Sequence, residues 1–150
     1  MTSVPSSSIV VVDASVWVSR LVSADVHHAA SRRWLEDYVS QGGRVIAPML
    51  LLPEIAGAIS RRTGEPDLAH QAIKQLERLS ALRLVAIDQR LGQAATQLAA
   101  ERGLRGADAT YVATAQQLKV PLLTWDNEQL DKVKTLIQVF TPDTLFKLAK

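Results

Sequence analysis

Four carboxylates stand at the borders of apolar segments: Asp13 after "IVVV" (Ile9 to Val12), Glu54 in "MLLLPEIAGAISRR", Asp108 in "LRGADATYVATAQQL" and Asp126 in "LLTWDNEQL". Each has an ordinary local explanation. Asp13, with Ser15 two residues on, can cap a helix that begins near Val16, because Asp and Ser side chains accept backbone N–H bonds at helix starts. Glu54 shares the i, i+3, i+4, i+7 stripe of Leu51, Ile55 and Ala58, which places it on an apolar face. If Pro53 is the first helical residue, Glu54 instead complements the helix dipole from the first turn. Asp108 shares a helical face with Tyr111, Val112 and Ala115, and an N-cap role competes there too. Asp126 suits a turn, or the cap of a short helix with Glu128 and Gln129 behind it.

Taken together the four say more than any one of them, since caps have no need to converge. If they do converge, two unit charges about 4 Å apart cost on the order of 4 kcal/mol at an effective dielectric near 20. Several such pairs rival the typical stability of a whole domain, roughly 5 to 15 kcal/mol. A bound cation or shared protons would relieve that repulsion. A donor set made only of oxygen selects a hard cation, Mg²⁺ or Mn²⁺, over zinc. Such a centre suits phosphoryl chemistry, because the metal neutralises phosphate charge and lowers the pKa of an attacking water.

The elements that must carry these acids alternate along the chain. Short apolar runs at Ile9 to Val12, Val45 to Ala47, Leu82 to Ile87, Pro121 to Thr124 and Leu136 to Phe140 predict strands. Between them, His27 to Gln41, Leu50 to Arg62, Leu68 to Ser80, Gln89 to Arg102 and Asp108 to Leu118 have helical periodicity, and Pro142 can open a last short helix. This alternation predicts an α/β fold with a parallel sheet. Sites in open parallel sheets lie beyond the carboxyl ends of strands. Asp13 follows one such end directly, and Asp126 lies two residues past another.

A chain of 150 residues with 47% hydrophobic content fits one domain, here taken as residues 9–150 behind a flexible lead-in of residues 1–8. With 17 Lys+Arg against 15 Asp+Glu the net charge is +2, a mild pointer to a polyanionic partner. The absence of cysteine excludes disulfides, thiolate metal sites and Cys nucleophiles. "MTSVPSSS" lacks the basic and apolar regions of a secretory signal, and "VIAPMLLLP" is too short to span a bilayer. A soluble, cytoplasmic protein with no membrane association is expected.

In their order, "VVVDASVWV", "LLLPEIAGAI", "RGADATYVATA" and "LLTWDNEQL" resemble the motifs of PIN-domain ribonucleases, and the length resembles the VapC toxins of toxin–antitoxin pairs. The match runs from Asp13 to Asp126. The resemblance implies a PIN-like α/β/α sandwich around a parallel sheet of four or five strands. It also implies Mg²⁺- or Mn²⁺-dependent endonucleolytic cleavage of RNA, a cognate antitoxin as partner, and pairing as a homodimer. By position, Asp13, Glu54, Asp108 and Asp126 match the family's acids, with Asp13 and Asp108 as direct metal ligands. Glu54 and Asp126 would complete the shell through water or position the nucleophile. Ser15 and Thr124 match the small hydroxyl positions beside the first and fourth acids. Pro53 and Trp125 depart from the pattern: the first can shift the helix start, and the second can crowd the site, stack on a base or pack in the core.

Arg102 and Arg105, shortly before Asp108, are candidate contacts to an RNA backbone, against the alternative of a helix end followed by a solvated loop. Arg32, Arg33, Arg61 and Arg62 read as charges on helix faces. His27, His28 and His70 are assigned to no site, and Trp17 and Trp34 to packing. Two rival readings remain. A phosphatase of the haloacid dehalogenase type also places Asp after its first strand, but needs a second Asp where this chain has Ser15. A PIN-like module that binds RNA or protein without cutting could lose acids freely, whereas all four are present here.

Overall fold

Val10, Val11 and Val12 are all buried, with β-branched side chains suited to a pleated strand. Because successive strand residues point to opposite faces, this burial requires cover on both sides of the sheet. The computed structural model describes residues 8–143, and in it this run is β1 (Ile9–Val12). The sheet is completed by β2 (Arg44–Pro48), β3 (Leu82–Val85), β4 (Leu122–Leu123) and β5 (Val139–Phe140), in the order β3-β2-β1-β4-β5. Every pairing is parallel, with Val10 opposite Val45, Val11 opposite Leu122, Val45 opposite Leu82 and Leu122 opposite Val139.

Seven helices connect the described strands: α1 (Ala14–Leu21), α2 (His28–Ser40), α3 (Leu51–Thr63), α4 (Pro66–Glu77), α5 (Gln89–Arg102), α6 (Gly106–Leu118) and α7 (Asn127–Val133). Helix α6 packs against β1 and β2 and carries α5 on its outer side, while α1 contacts α2 and α3, and α3 contacts α4. The most deeply buried helix is α6, where Ala109 to Ala115 is an unbroken buried run. The tight turn from α2 into β2 depends on Gly43, where an added Cβ would come within 2.4 Å of the Tyr38 ring.

The expected α/β/α architecture and the five-stranded parallel sheet are therefore present. Differences lie at element ends. Helix α4 opens at Pro66 rather than Leu68, since proline at the first helical position sacrifices no hydrogen bond. Strand β3 stops at Val85, opposite Pro48, the last residue of β2, and Asp88 then caps α5 by accepting from Leu91 N at 2.8 Å. Strand β5 is confined to Val139–Phe140 because the backbone N–H groups of Leu136 and Ile137 turn back to Val133. Of the lead-in, residues 1–7 lie outside the described residues, whereas Ser8 accepts from Arg44 N at 3.0 Å and bonds the Tyr38 hydroxyl at 2.7 Å. Of the short helix expected from Pro142, all but residues 142 and 143 lies outside the described residues. No helix among the described residues is long and apolar enough to cross a membrane.

The strand order creates a crevice. From β1 the chain moves outward to β2 and β3, then returns to the other side of β1 for β4. The β1/β4 boundary is thus the topological switch point, where open α/β sheets place their ligands.

Candidate active site

Asp13 leaves β1 at that crevice. Its N–H continues the sheet ladder to Leu123 O at 3.1 Å, and its carboxylate then caps α1, with Oδ1 accepting from Ser15 N at 3.0 Å and Ser15 Oγ at 2.5 Å. The same residue that caps α1 also lines a cleft shared with the other three acids. Asp13 is 4% exposed. Burial pushes its carboxyl up to about 6, while hydrogen bonds from Ser15 and Thr124 hold it down and the Asp108 charge adds to the rise.

Asp126 occupies the matching place after β4. Its Oδ1 caps α7 by accepting from Glu128 N at 3.0 Å and Gln129 N at 3.2 Å. Its Oδ2 accepts from Arg105 Nη2 at 3.3 Å. Thr124, fully buried, fixes the turn by accepting from Asp126 N at 3.0 Å. Ser15 Oγ accepts from Trp125 N at 3.0 Å and lies 3.4 Å from Thr124 Oγ1, so both expected hydroxyls stitch the first acid's helix to the fourth acid's turn.

Glu54 and Asp108 come from the first turns of α3 and α6. Helix α3 opens at Leu51, two residues before Pro53. The proline falls among the first helical N–H groups, which lack intrahelical partners in any case, and Glu54 N makes an early bond to Leu50 O at 3.2 Å. Asp108 is the third residue of α6. The N-cap there is Arg105, which makes no side-chain cap, so the local explanation for Asp108 does not hold.

All four acids, with Ser15, Arg105 and Tyr111, border one cleft of about 280 Å³. Two residues govern its charges. Arg105, exposed over 80% of its side chain, bridges Asp108 Oδ2 (Nε, 3.0 Å) and Asp126 Oδ2 (Nη2, 3.3 Å), and these acids raise its own pKa. Tyr111, buried in α6, donates its hydroxyl to Glu54 Oε1 at 2.6 Å. Burial raises the Glu54 carboxyl, the Tyr111 hydrogen bond opposes that rise, and Asp108 adds to it. The Tyr111 hydroxyl is in turn driven far above its ordinary value by burial and by Glu54. In the sequence, Tyr111 shares the Asp108 face by its i, i+3 spacing, a signal that assigns it no role by itself.

The other candidates lie elsewhere. Arg102 donates to Thr135 Oγ1 at 3.4 Å and does not line the cleft. Arg32 pairs with Glu36 and Arg62 with Asp25. Trp125 is partly buried, stacked on His27 with ring centroids 3.9 Å apart, and its Nε1 donates to Ser31 Oγ at 2.7 Å. No histidine lines the cleft.

Among the described residues no group of three acids or histidines closes tightly enough to hold an ion by itself. The donor chemistry nevertheless fits Mg²⁺ or Mn²⁺, since Mg²⁺ keeps several waters and takes only one or two carboxylates from the protein. Buried Asp13, whose charge is raised in cost by Asp108, is a carboxylate that a cation would relieve.

The PIN domain family model matches residues 10–136. Among solved structures, VapC20 of Mycobacterium tuberculosis, described as a Sarcin-Ricin loop cleaving toxin, is 22% identical with a TM-score of 0.68, over 81% of this chain and 93% of that one. A toxin–antitoxin complex from Klebsiella pneumoniae is 20% identical with a TM-score of 0.65, over 89% and 97%. VapBC2 from Rickettsia felis, bound to a DNA fragment from its promoter, is 13% identical with a TM-score of 0.68, over 89% and 98%. A search of curated proteins finds no match.

Proposed function

The chain belongs to the PIN-domain family, and from that premise we propose that it is a metal-dependent endoribonuclease, the toxin of a toxin–antitoxin pair. The observation that carries this reading is the meeting of Asp13, Glu54, Asp108 and Asp126 in one cleft at the β1/β4 crevice. Asp13 and Asp108 would hold Mg²⁺ or Mn²⁺. When bound, the ion supplies neutralisation of phosphate charge and acidifies an attacking water.

The protein's own groups then have distinct tasks. Ser15 and Thr124 fix the Asp13 carboxylate and keep it ionisable against its burial. Glu54, steadied by Tyr111, positions the nucleophilic water and accepts its proton. Arg105, exposed on its stem, exchanges its carboxylate partners for the scissile phosphate. Asp126 holds the β4–α7 turn and completes the acidic shell through water. The toxin–antitoxin complexes among the structural neighbours support a cognate antitoxin as partner, and a homodimer is the assembly proposed for the free toxin.

Purified protein incubated with total RNA and Mg²⁺ or Mn²⁺ should cut it, and Asp13→Ala should cut more slowly by on the order of 10²- to 10³-fold. Equal cleavage by both proteins, or none by either, overturns the nuclease reading.

A further inference from the structure

Beside the catalytic cleft lies a second pocket of about 220 Å³, walled off from it only by Arg105, Asp108 and Asp126, which line both. Its far side is formed by Leu104, Glu128, Gln129 and Lys132. Gln129 is 2% exposed, yet neither Oε1 nor Nε2 of its carboxamide has a hydrogen-bond partner among the described residues. Its backbone is firmly held, with its N–H donated to Asp126 Oδ1 at 3.2 Å. A leucine or methionine would fill the same space with no polar group left unsatisfied. Buried amides are almost always paired, so an unpaired one beside a pocket suits a partner that enters there, met by a turn of the side chain toward the pocket.

The surroundings define that partner. Leu104, 9% exposed, gives an apolar wall. Lys132 is anchored by Glu128 Oε1 and Gly103 O, each at 3.0 Å, and with Arg105 places two cations at the pocket. A carboxamide offers one acceptor beside one donor, the pattern that pairs bidentately with a base edge such as adenine N6 and N7. Specific recognition of RNA relies on such contacts to unstacked single-stranded bases.

We propose that Gln129 is a specificity-determining residue, reading the base of the nucleotide next to the scissile phosphate in this second pocket. The inference rests on the nuclease reading for what occupies the neighbouring cleft. Asp126 couples the two sites, since one oxygen faces Arg105 while the other holds the Gln129 backbone.

The first test does not depend on cleavage. ¹⁵N-labelled full-length protein is titrated separately with the 5′-monophosphates of adenosine, guanosine, cytidine and uridine, following the Gln129 side-chain NH₂ signals, identified by their loss in Gln129→Met. A response at that carboxamide that differs among the four bases supports the proposal; no response, or the same response to all four, overturns it. The second test maps the ends of RNA cut by wild type, Gln129→Met and Gln129→Glu. The wild type should prefer one base at a fixed position beside the cut, and the variants should lose or change that preference by on the order of 10-fold. An unchanged preference overturns the proposal. Failure of the wild type to cut any RNA would overturn the nuclease reading alone, and the titration would still decide the role of Gln129.

Discussion

Tyr111 and Asp13 control ionisation in the cleft in opposite directions. The Tyr111 hydroxyl favours ionised Glu54, so Tyr111→Phe leaves burial unopposed and raises the Glu54 carboxyl further. The acid limb of the pH–rate profile for RNA cleavage should therefore move to higher pH, and urea unfolding at neutral pH should show a loss of about 1–2 kcal/mol. Asp13 is raised by burial from 3.8 to about 6. The folded, metal-free protein thus holds this proton more tightly than the unfolded chain does. That contribution is full below about pH 4 and is lost as pH rises through about 6, a decline of order 3 kcal/mol. Asp13→Asn, which keeps the cap acceptor, should flatten this decline in urea denaturation with EDTA across pH 4–8; an equal slope in both proteins would refute it. The acids themselves were legible, because a charge at the edge of an apolar run is conspicuous. Tyr111 was not, since a tyrosine on a buried helix face looks the same whether its hydroxyl meets a carboxylate or a backbone carbonyl.

Helix ends decide how accurately the acids are delivered. Helices α5 and α6 both end in left-handed conformations, α5 at Gly103 with φ 64° and α6 at Lys119 with φ 56°. Glycine adopts this region freely, but a lysine there is strained. Lys119→Gly should stabilise the protein by about 0.5–1 kcal/mol, read as an upward shift in the urea midpoint with unchanged slope. The end of α5 was visible in the sequence because Gly103 marks it. The left-handed end of α6 was hidden because no glycine stands at 119. Pro53 was harder to place, since its ring is compatible with any residue of the first helical turn and fixes none of them.

For the molecule as a whole, the order β3-β2-β1-β4-β5 brings together acids that lie up to 113 positions apart in the chain, from Asp13 to Asp126. The α/β alternation could be read from hydrophobic patterning, but strand order could not, because it depends on long-range packing such as that of α6 against β1, β2 and β4. Nor could the position of Arg105 across Asp108 and Asp126, which depends on the β4–α7 turn approaching the start of α6. If Asp13 holds the cation, ion and proton compete for one carboxylate, and Mg²⁺ or Mn²⁺ should raise the Tm by several degrees at saturation, more at pH 8 than at pH 5.5. Differential scanning calorimetry across that pH range would check it; an equal shift at both values would count against Asp13 as a ligand. The indole of Trp125 is the partly buried one of three, Trp17 and Trp34 being 1% and 2% exposed, and it lies flat against the His27 imidazole one residue from Asp126. The Trp125 component of the protein's fluorescence, quenched or released as its imidazole neighbour changes position, is therefore a gauge of the surroundings of the fourth acid that needs no added label.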